Sequence, residues 1–353
     1  MIDNSVLLLG AVGVLPFVLN ILLTPLLLKL AHHKNWYDDV DHRKIHTGDI
    51  PRIGGVGIFL TTLITLLIVL GMHGRVELLA GAPLVDGVVF VIGLLVIHLV
   101  GLLDDFANLR PLYKLYGQIV ATLVVILAGY SFHTVYIPIF DVIVPLGFGG
   151  HVLTFLWILG VTNAVNLIDG LDGLSATISA FGALFLGLGA VAVGNYFAAM
   201  CAFALFGSLA GFLVYNLPPA KLFMGDSGSM FLGYFLSILP LFAFSSANSE
   251  KALPFAMTLV LIPIFDTIGA IIRRKRKNAP FHAPDKEHLH HKLLNFGWSN
   301  RTILLVIALA SVVLNLPAYL WLKTDSIFFA HVLLFFWLLG VGGFTVIHKI
   351  HHR

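Results

Sequence analysis

Charge is what this chain has least of: 11% of its 353 residues are Asp, Glu, Lys or Arg, and its mean hydropathy is +0.95. A soluble domain carries about 25% charged residues because water must wet its surface. With 21 Lys and Arg and 18 Asp and Glu, this chain cannot cover a water-facing surface. Soluble and disordered classes are thereby excluded. Cysteine is nearly absent too. Cys201 stands alone inside an apolar run, so no intrachain disulfide exists and no disulfide scaffold is open to it. What is abundant is apolar sequence, 58% of the chain, with 28 Phe and 34 Gly suited to closely packed helices in lipid.

A helical span needs about 20 apolar residues to cross roughly 30 Å of hydrocarbon. Runs at about 5–28, 54–72, 87–103, 115–132, 151–166, 173–193, 196–215, 229–245, 253–272, 302–322 and 327–347 predict an all-α polytopic membrane protein with about 11 spans. The first run is too long for a cleavable signal and ends in Lys29 and Lys34. Loops 29–53, 104–114, 216–227, 273–301 and 348–353 hold 18 of the 21 Lys and Arg; Arg75, Lys251 and Lys323 are the rest. That asymmetry predicts an N-terminus outside and a C-terminus in the cytoplasm. On the outer side, residues 135–147 carry β-branched runs broken by Asp141 and Pro145, a pattern for a small hairpin. No second domain is indicated.

Acids gather on the cytoplasmic side. Asp104 and Asp105 end one span, Asp169 and Asp172 lie between two, and Asp226 precedes another. Carboxylates can simply mark helix ends in water, but five of them on three connections at one face of an apolar bundle point to function. Adjacent Asp104 and Asp105 repel, so a proton is retained or a cation is held nearby. Mg²⁺ is the natural cation, because it is hard and is shared between a few carboxylates and phosphates. In Asn163-Ala-Val-Asn-Leu-Ile-Asp-Gly-Leu-Asp-Gly173 the polar residues fall three apart, so neighbouring members can share a helix face. In Phe223-Met-Gly-Asp-Ser-Gly-Ser229, Asp226 sits between glycines whose exposed N–H groups suit phosphate.

Two basic segments face these acids: Asp41-His-Arg-Lys-Ile-His46 with Arg52, and Arg273-Arg-Lys-Arg-Lys277 leading to His288-Leu-His-His291. The Arg273–Lys277 run read alone also fits an anchor to anionic headgroups. The histidines suit anion binding better than a zinc site in a chain with one cysteine. Lys114 stands where it can neutralise a phosphate. His98, seven residues before Asp105, shares nearly the same helical stripe.

These motifs, in this order from Asp41 to Gly297, resemble the polyprenyl-phosphate N-acetylhexosamine-1-phosphate transferase family. The His288-Leu-His-His291 pattern is similar to the branch that primes bacterial surface polysaccharides and teichoic-acid linkage units, whereas the phospho-MurNAc-pentapeptide transferase branch has three histidines in a row. The resemblance implies transfer of a sugar 1-phosphate, most often GlcNAc 1-phosphate, from a UDP-N-acetylhexosamine to undecaprenyl phosphate, with release of UMP. It implies Mg²⁺, with Mn²⁺ as a substitute, held by Asn166 and Asp226. Asp104 and Asp105 would act on the lipid phosphate, as base or as nucleophile, and Asp169 and Asp172 would shape the metal site and the donor pocket. His46, Arg52, Lys114, Asn163, Arg273, Arg274, His288, His290 and His291 would bind substrate. Loops 29–53, 104–114, 166–173, 216–227 and 273–301 would form the active site of a single domain in the bacterial inner membrane, facing the cytoplasm. Membrane lipid is an expected partner, nucleic acid is not, and a homodimer is one assembly open to such a chain. A secondary transporter is the rival class, and it would place ionisable groups near the bilayer midplane.

Overall fold

In the computed structural model, residues 4–37, 50–72, 84–245, 248–278 and 287–350 are described. The chain forms α1 (Asn4–Lys34), α2 (Gly54–Gly71), α3 (Leu84–Ala107), α4 (Pro111–Leu127), β1 (Thr134–Ile137) and β2 (Val142–Pro145). There follow α5 (Phe148–Ile168), α6 (Leu174–Ala192), α7 (Tyr196–Asn216), α8 (Gly225–Ala243), α9 (Ser249–Leu259), α10 (Leu261–Arg276), α11 (Leu289–Asn295), α12 (Asn300–Thr324) and α13 (Ile327–Ile350). Among the described residues nine helices are long and apolar enough to cross a membrane. This is an all-α integral membrane protein with one small hairpin.

Two apolar runs differ from straight spans. The run at 253–272 is broken: α9 and α10 meet at a bend of 70°. The cause is local, since Pro263 has no N–H to give the carbonyl of Leu259, and Val260 leaves the helix at φ −123° and ψ 23°. α4 has 17 residues and starts at Pro111, and so measures about 25 Å at 1.5 Å per residue. The helices also reach further than the apolar runs. α3 continues through Asp104 and Asp105 to Ala107, and α8 begins at Gly225, so these acids stand in helical turns and not in loops.

β1 pairs antiparallel with β2, Thr134 opposite Pro145 and Ile137 opposite Val142. Asp141 takes the turn at φ 51°, and its carboxylate accepts from the Tyr136 hydroxyl at 2.7 Å. Tyr136 also packs on Trp321 of α12.

The organising element is α8, every residue of which is buried. It packs against α3, α5, α2, α6 and α7, while α1 and α13 sit at the periphery with apolar side chains turned outward. Two large polar side chains inside the bundle are tied to backbone: Tyr234 donates to Ala121 O at 2.7 Å, and Trp157 Nε1 donates to Ser237 O at 3.0 Å. In lipid an unpaired polar group has no water to fall back on. Close approach of α8 to α5 depends on Gly233, where an added Cβ would lie 2.7 Å from Thr162 Cα. Gly233→Ala is therefore expected to destabilise the bundle by roughly 1–3 kcal/mol, seen as a lower thermal midpoint in detergent. Gly160→Ala, with nothing within 4 Å of its added Cβ, should leave the midpoint unchanged or raise it.

Candidate active site

The start of α8 is where three chain segments converge. Residues 51–55 run alongside residues 223–224: Phe223 N donates to Pro51 O at 2.8 Å, Gly54 N to Phe223 O at 2.8 Å, and Gly55 N to Met224 O at 2.7 Å. This pairing places Arg52 over the first turn of α8. From the other side α3 presents Asp105, whose Oδ1 accepts from Asp226 N at 2.7 Å and whose Oδ2 accepts from Ser227 N at 3.0 Å. Gly225, at φ +75°, turns the chain into the helix. No side chain fits there, since a Cβ would meet the Asp105 carboxylate at 2.6 Å.

The charges then interlock. Lys114 Nζ lies 3.0 Å from Asp104 Oδ2 and 2.8 Å from Asp226 Oδ2. Arg52 pairs through Nη2 with Asp226 Oδ1 and lies, through Nε, 3.5 Å from Asp105 Oδ1. Three carboxylates and two cations thus share one end of the bundle, brought from α3, α4, α8 and the 50–53 segment.

The Asn163–Gly173 motif lines the next side. Asn163 and Gln118 exchange amide hydrogen bonds at 2.8 and 3.3 Å, and Asn163 Nδ2 also donates to Leu159 O at 2.7 Å, which fixes the Asn163 side chain against α4. Asn166 Nδ2 donates to Ser229 Oγ at 2.8 Å, leaving the amide oxygen outside that bond. Asp172 Oδ2 accepts from Ala220 N at 3.0 Å and so holds the segment before α8. Asp169 is pushed up to about 7 by desolvation, with the Arg52 guanidinium opposing and Asp226, Asp105 and Asp172 reinforcing the rise.

The histidine segment closes the far side. Asp266 of α10 accepts from Leu289 N at 2.8 Å and lies 2.7 Å from His288 Nδ1, so it fixes the start of α11. His290 packs on Gly170, where a Cβ would come within 2.8 Å of Nε2. That contact joins the histidine segment to the Asn163–Gly173 motif. His290 is buried and neither ring nitrogen has a hydrogen-bond partner among the described residues. Burial, followed by repulsion from His291, lowers its pKa to about 3, so it is a neutral imidazole at working pH. Arg273 and Arg274 are buried at the end of α10, with Arg274 Nε unpartnered among the described residues.

Every predicted site residue except His46, which lies outside the described residues, therefore falls at this end of the bundle. Two contributors were not expected from sequence. Asp266 looked like an isolated acid near the end of a span, since nothing in the order of residues pairs it with His288. Ser229 carried no signal beyond its glycine-rich setting.

Among the described residues no three His, Cys, Asp or Glu side chains form a ready metal cage. A hard divalent ion does not need one, because it takes one or two carboxylates and completes its shell with water and phosphate. Asp226, in the first turn of α8, and Asn166, hydrogen-bonded to Ser229 on the same helix, carry oxygen donors of that kind. Lys114, shared between Asp104 and Asp226, shows that positive charge is already favoured between these carboxylates.

The sequence pattern of glycosyl transferase family 4 matches residues 87–243. A Bacillus subtilis protein named "Probable undecaprenyl-phosphate N-acetylglucosaminyl 1-phosphate transferase" is 32% identical over 335 residues, covering 95% of this chain and 90% of its own length. The chain belongs to glycosyl transferase family 4. Two further members of the family are similar. An undecaprenyl-phosphate alpha-N-acetylglucosaminyl 1-phosphate transferase of Thermotoga maritima is 31% identical over 85% of this chain and 86% of its own. A phospho-N-acetylmuramoyl-pentapeptide-transferase of Oceanobacillus iheyensis is 31% identical over 81% and 89%. The family segment takes in Asp104 through Asp226, whereas Arg52 and the histidine segment lie outside it.

The Asp169 shift has a sign that can be checked. An ordinary Asp titrates near 3.9, so between about pH 4 and the folded value of about 7 the native state holds a proton that the unfolded chain has released. Stability conferred by the neutral carboxyl is complete at low pH and is lost as pH rises through that window. Thermal unfolding in detergent, without nucleotide or divalent ion, should show Asp169→Asn gaining stability over wild type from pH 5 to 7, with a constant gap above pH 7.

Proposed function

We propose that this chain transfers N-acetylglucosamine 1-phosphate from a UDP-sugar to undecaprenyl phosphate, releasing UMP, at the cytoplasmic face of the bacterial inner membrane. The observation that carries the reading is the convergence at the start of α8. Asp104, Asp226, Lys114 and Arg52 are locked together there, and a buried His290, resting on Gly170 of the neighbouring motif, has ring nitrogens without a hydrogen-bond partner among the described residues. The names of the similar proteins supply the substrate class.

The overall exchange forms a bond from a lipid-phosphate oxygen to the sugar-bearing phosphorus, and breaks the bond from that phosphorus to the oxygen that leaves with UMP. Such chemistry rests on positioning and charge neutralisation more than on special reactive groups. A divalent ion at Asp226 and Asn166, Mg²⁺ first and Mn²⁺ in its place, would neutralise the diphosphate. Lys114 and Arg52 lie beside Asp226 and place positive charge where phosphate oxygens must come. Arg273 and Arg274 add charge from α10, while neutral His290 donates to or accepts from the donor without carrying charge. A carboxylate of the Asp104–Asp105 pair, one helix away from Asp226, accepts the proton of the lipid phosphate.

The site is suited to an amphipathic pair of substrates. It lies at the loop set holding most of the Lys and Arg, and that bias supports a cytoplasmic site at the edge of an apolar bundle. The muramoyl-pentapeptide reading has the Oceanobacillus relative in its favour, but Leu289 interrupts the histidine run of that branch. For a transporter, ionisable groups should line a path through the midplane, whereas here the interlocked carboxylates and cations at the start of α8 gather at one rim.

Purified protein with undecaprenyl phosphate and a panel of UDP-sugars should release UMP with UDP-N-acetylglucosamine. No release with any UDP-sugar would overturn the reading. Chelation should abolish release and Mg²⁺ or Mn²⁺ restore it, with Asp226→Asn needing far more metal for half-maximal rate; full activity of that variant at low metal would remove Asp226 as a ligand. His290→Ala should weaken equilibrium binding of UMP by about tenfold or more, the worth of one or two buried hydrogen bonds, while retaining metal binding.

A further inference from the structure

The two carboxylates of the Asp104–Asp105 pair are not in equivalent surroundings. The Asp105 side chain is 2% exposed, and both its oxygens accept backbone N–H groups of Asp226 and Ser227. Asp104 has no such partners and instead meets Lys114, which it shares with Asp226.

Asp105 is one of three α3 residues, spaced by three and four, that grip the same turn of α8. Gly101 lies against it so closely that a Cβ would come 2.6 Å from Asp226 O and Ser227 Cα. His98 reaches Ser227 O through Nδ1 at 3.1 Å. A carbonyl can only accept, so Nδ1 carries the proton, and the ring is held flat on Phe59 with centroids 3.8 Å apart and planes 6° apart. His98 and Asp105 therefore bind opposite polarities of one turn, carbonyl and amide, with Gly101 between them.

We propose that Asp105 is a positioning residue, acting with His98 through the first turn of α8 to set Asp226, and that Asp104 alone of the acid pair acts on the lipid phosphate. The proposal rests on the phosphotransfer reading above and divides its acid pair. A carboxylate whose oxygens are spent on two helix N–H donors is poorly placed to take a substrate proton, because it would have to release the turn that carries Asp226. Asp104 meets only side chains, Lys114 and the Asp226 carboxylate, and can change partners without releasing the backbone of that turn.

The test is direct Mn²⁺ binding to purified apo-protein by electron paramagnetic resonance, alongside turnover, for Asp105→Asn, His98→Gln and Asp104→Asn. Loss of a group that orients a metal ligand typically weakens metal affinity by about 10- to 100-fold. Asp105→Asn should fall in that range, and His98→Gln should shift Mn²⁺ affinity in the same direction. The double variant should be weaker by less than the product of the two, since both act through one turn. Asp104→Asn should bind Mn²⁺ within about threefold of wild type and lose turnover by about 10²-fold or more. Wild-type Mn²⁺ affinity in Asp105→Asn with turnover lost would overturn the proposal, as would fully multiplicative effects in the double variant. His98→Gln keeps the test open should Asp105→Asn fail to fold. If wild-type protein transferred no sugar phosphate at all, the phosphotransfer reading would fail, while the Mn²⁺ affinities would still decide whether α3 sets Asp226.

Discussion

Everything at the functional end of this protein hangs on the two hydrogen bonds from the first turn of α8 to Asp105. A helix leaves its first N–H groups without intrahelical partners, and a helix buried along its whole length cannot give them all to water. Asp105 takes two of them from a neighbouring helix, which is why α3 must run on past its apolar stretch to Ala107. Once that joint is made, the rest follows in order. Gly225 must be a glycine, α3 must have Gly101 at the crossing, and the 51–55 segment can pair with 223–224 to bring Arg52 over Asp226. The negative charge of Asp105 also sits at the positive end of the α8 dipole, where it is favoured.

The site built on this joint separates charged from neutral recognition. On one side Lys114 and Arg52 are paired with acids, so their charge is held in place before any ligand arrives. On the other side His290 is kept neutral by burial, and Asp266 holds the segment that carries it through His288 and the Leu289 N–H. A diphosphate carrying a sugar has both kinds of surface: phosphate oxygens that need positive charge, and hydroxyl and amide groups that need neutral donors and acceptors. The two walls meet where His290 rests on Gly170.

Much of this was legible in the sequence because membranes impose strong rules. Apolar runs of about 20 residues located the helices, and β-branched residues around Asp141 located the hairpin. Clustering of acids and bases in one loop set located the site end. The break at Val260 escaped because the run 253–272 is apolar throughout, and hydropathy is blind to the missing N–H of Pro263. The role of Asp266 escaped for another reason. Its partner is 22 residues away, across a segment whose path no local pattern encodes. Asn163 read as a substrate ligand, yet its amide is taken up by Gln118 and Leu159, a consequence of the α4–α5 crossing that spacing along one helix cannot reveal.

The acid pair shows most clearly how secondary structure decides chemistry. Two adjacent aspartates in a loop can turn towards each other and share a proton or a cation. Placed in a helix, successive side chains point about 100° apart, so a pair has to face two different neighbours. Here those neighbours are α4, which brings Lys114 to Asp104, and α8, which brings its N–H groups to Asp105. A motif that looks like one doubled group in sequence is thus two groups, one meeting side chains and the other the backbone of α8. The question of which acid serves the substrate becomes a question of where α3 ends. Had the helix stopped at Leu103, both carboxylates would have been free to face the cleft. It continues to Ala107, and that extra turn converts one of them from a candidate reactant into part of the frame.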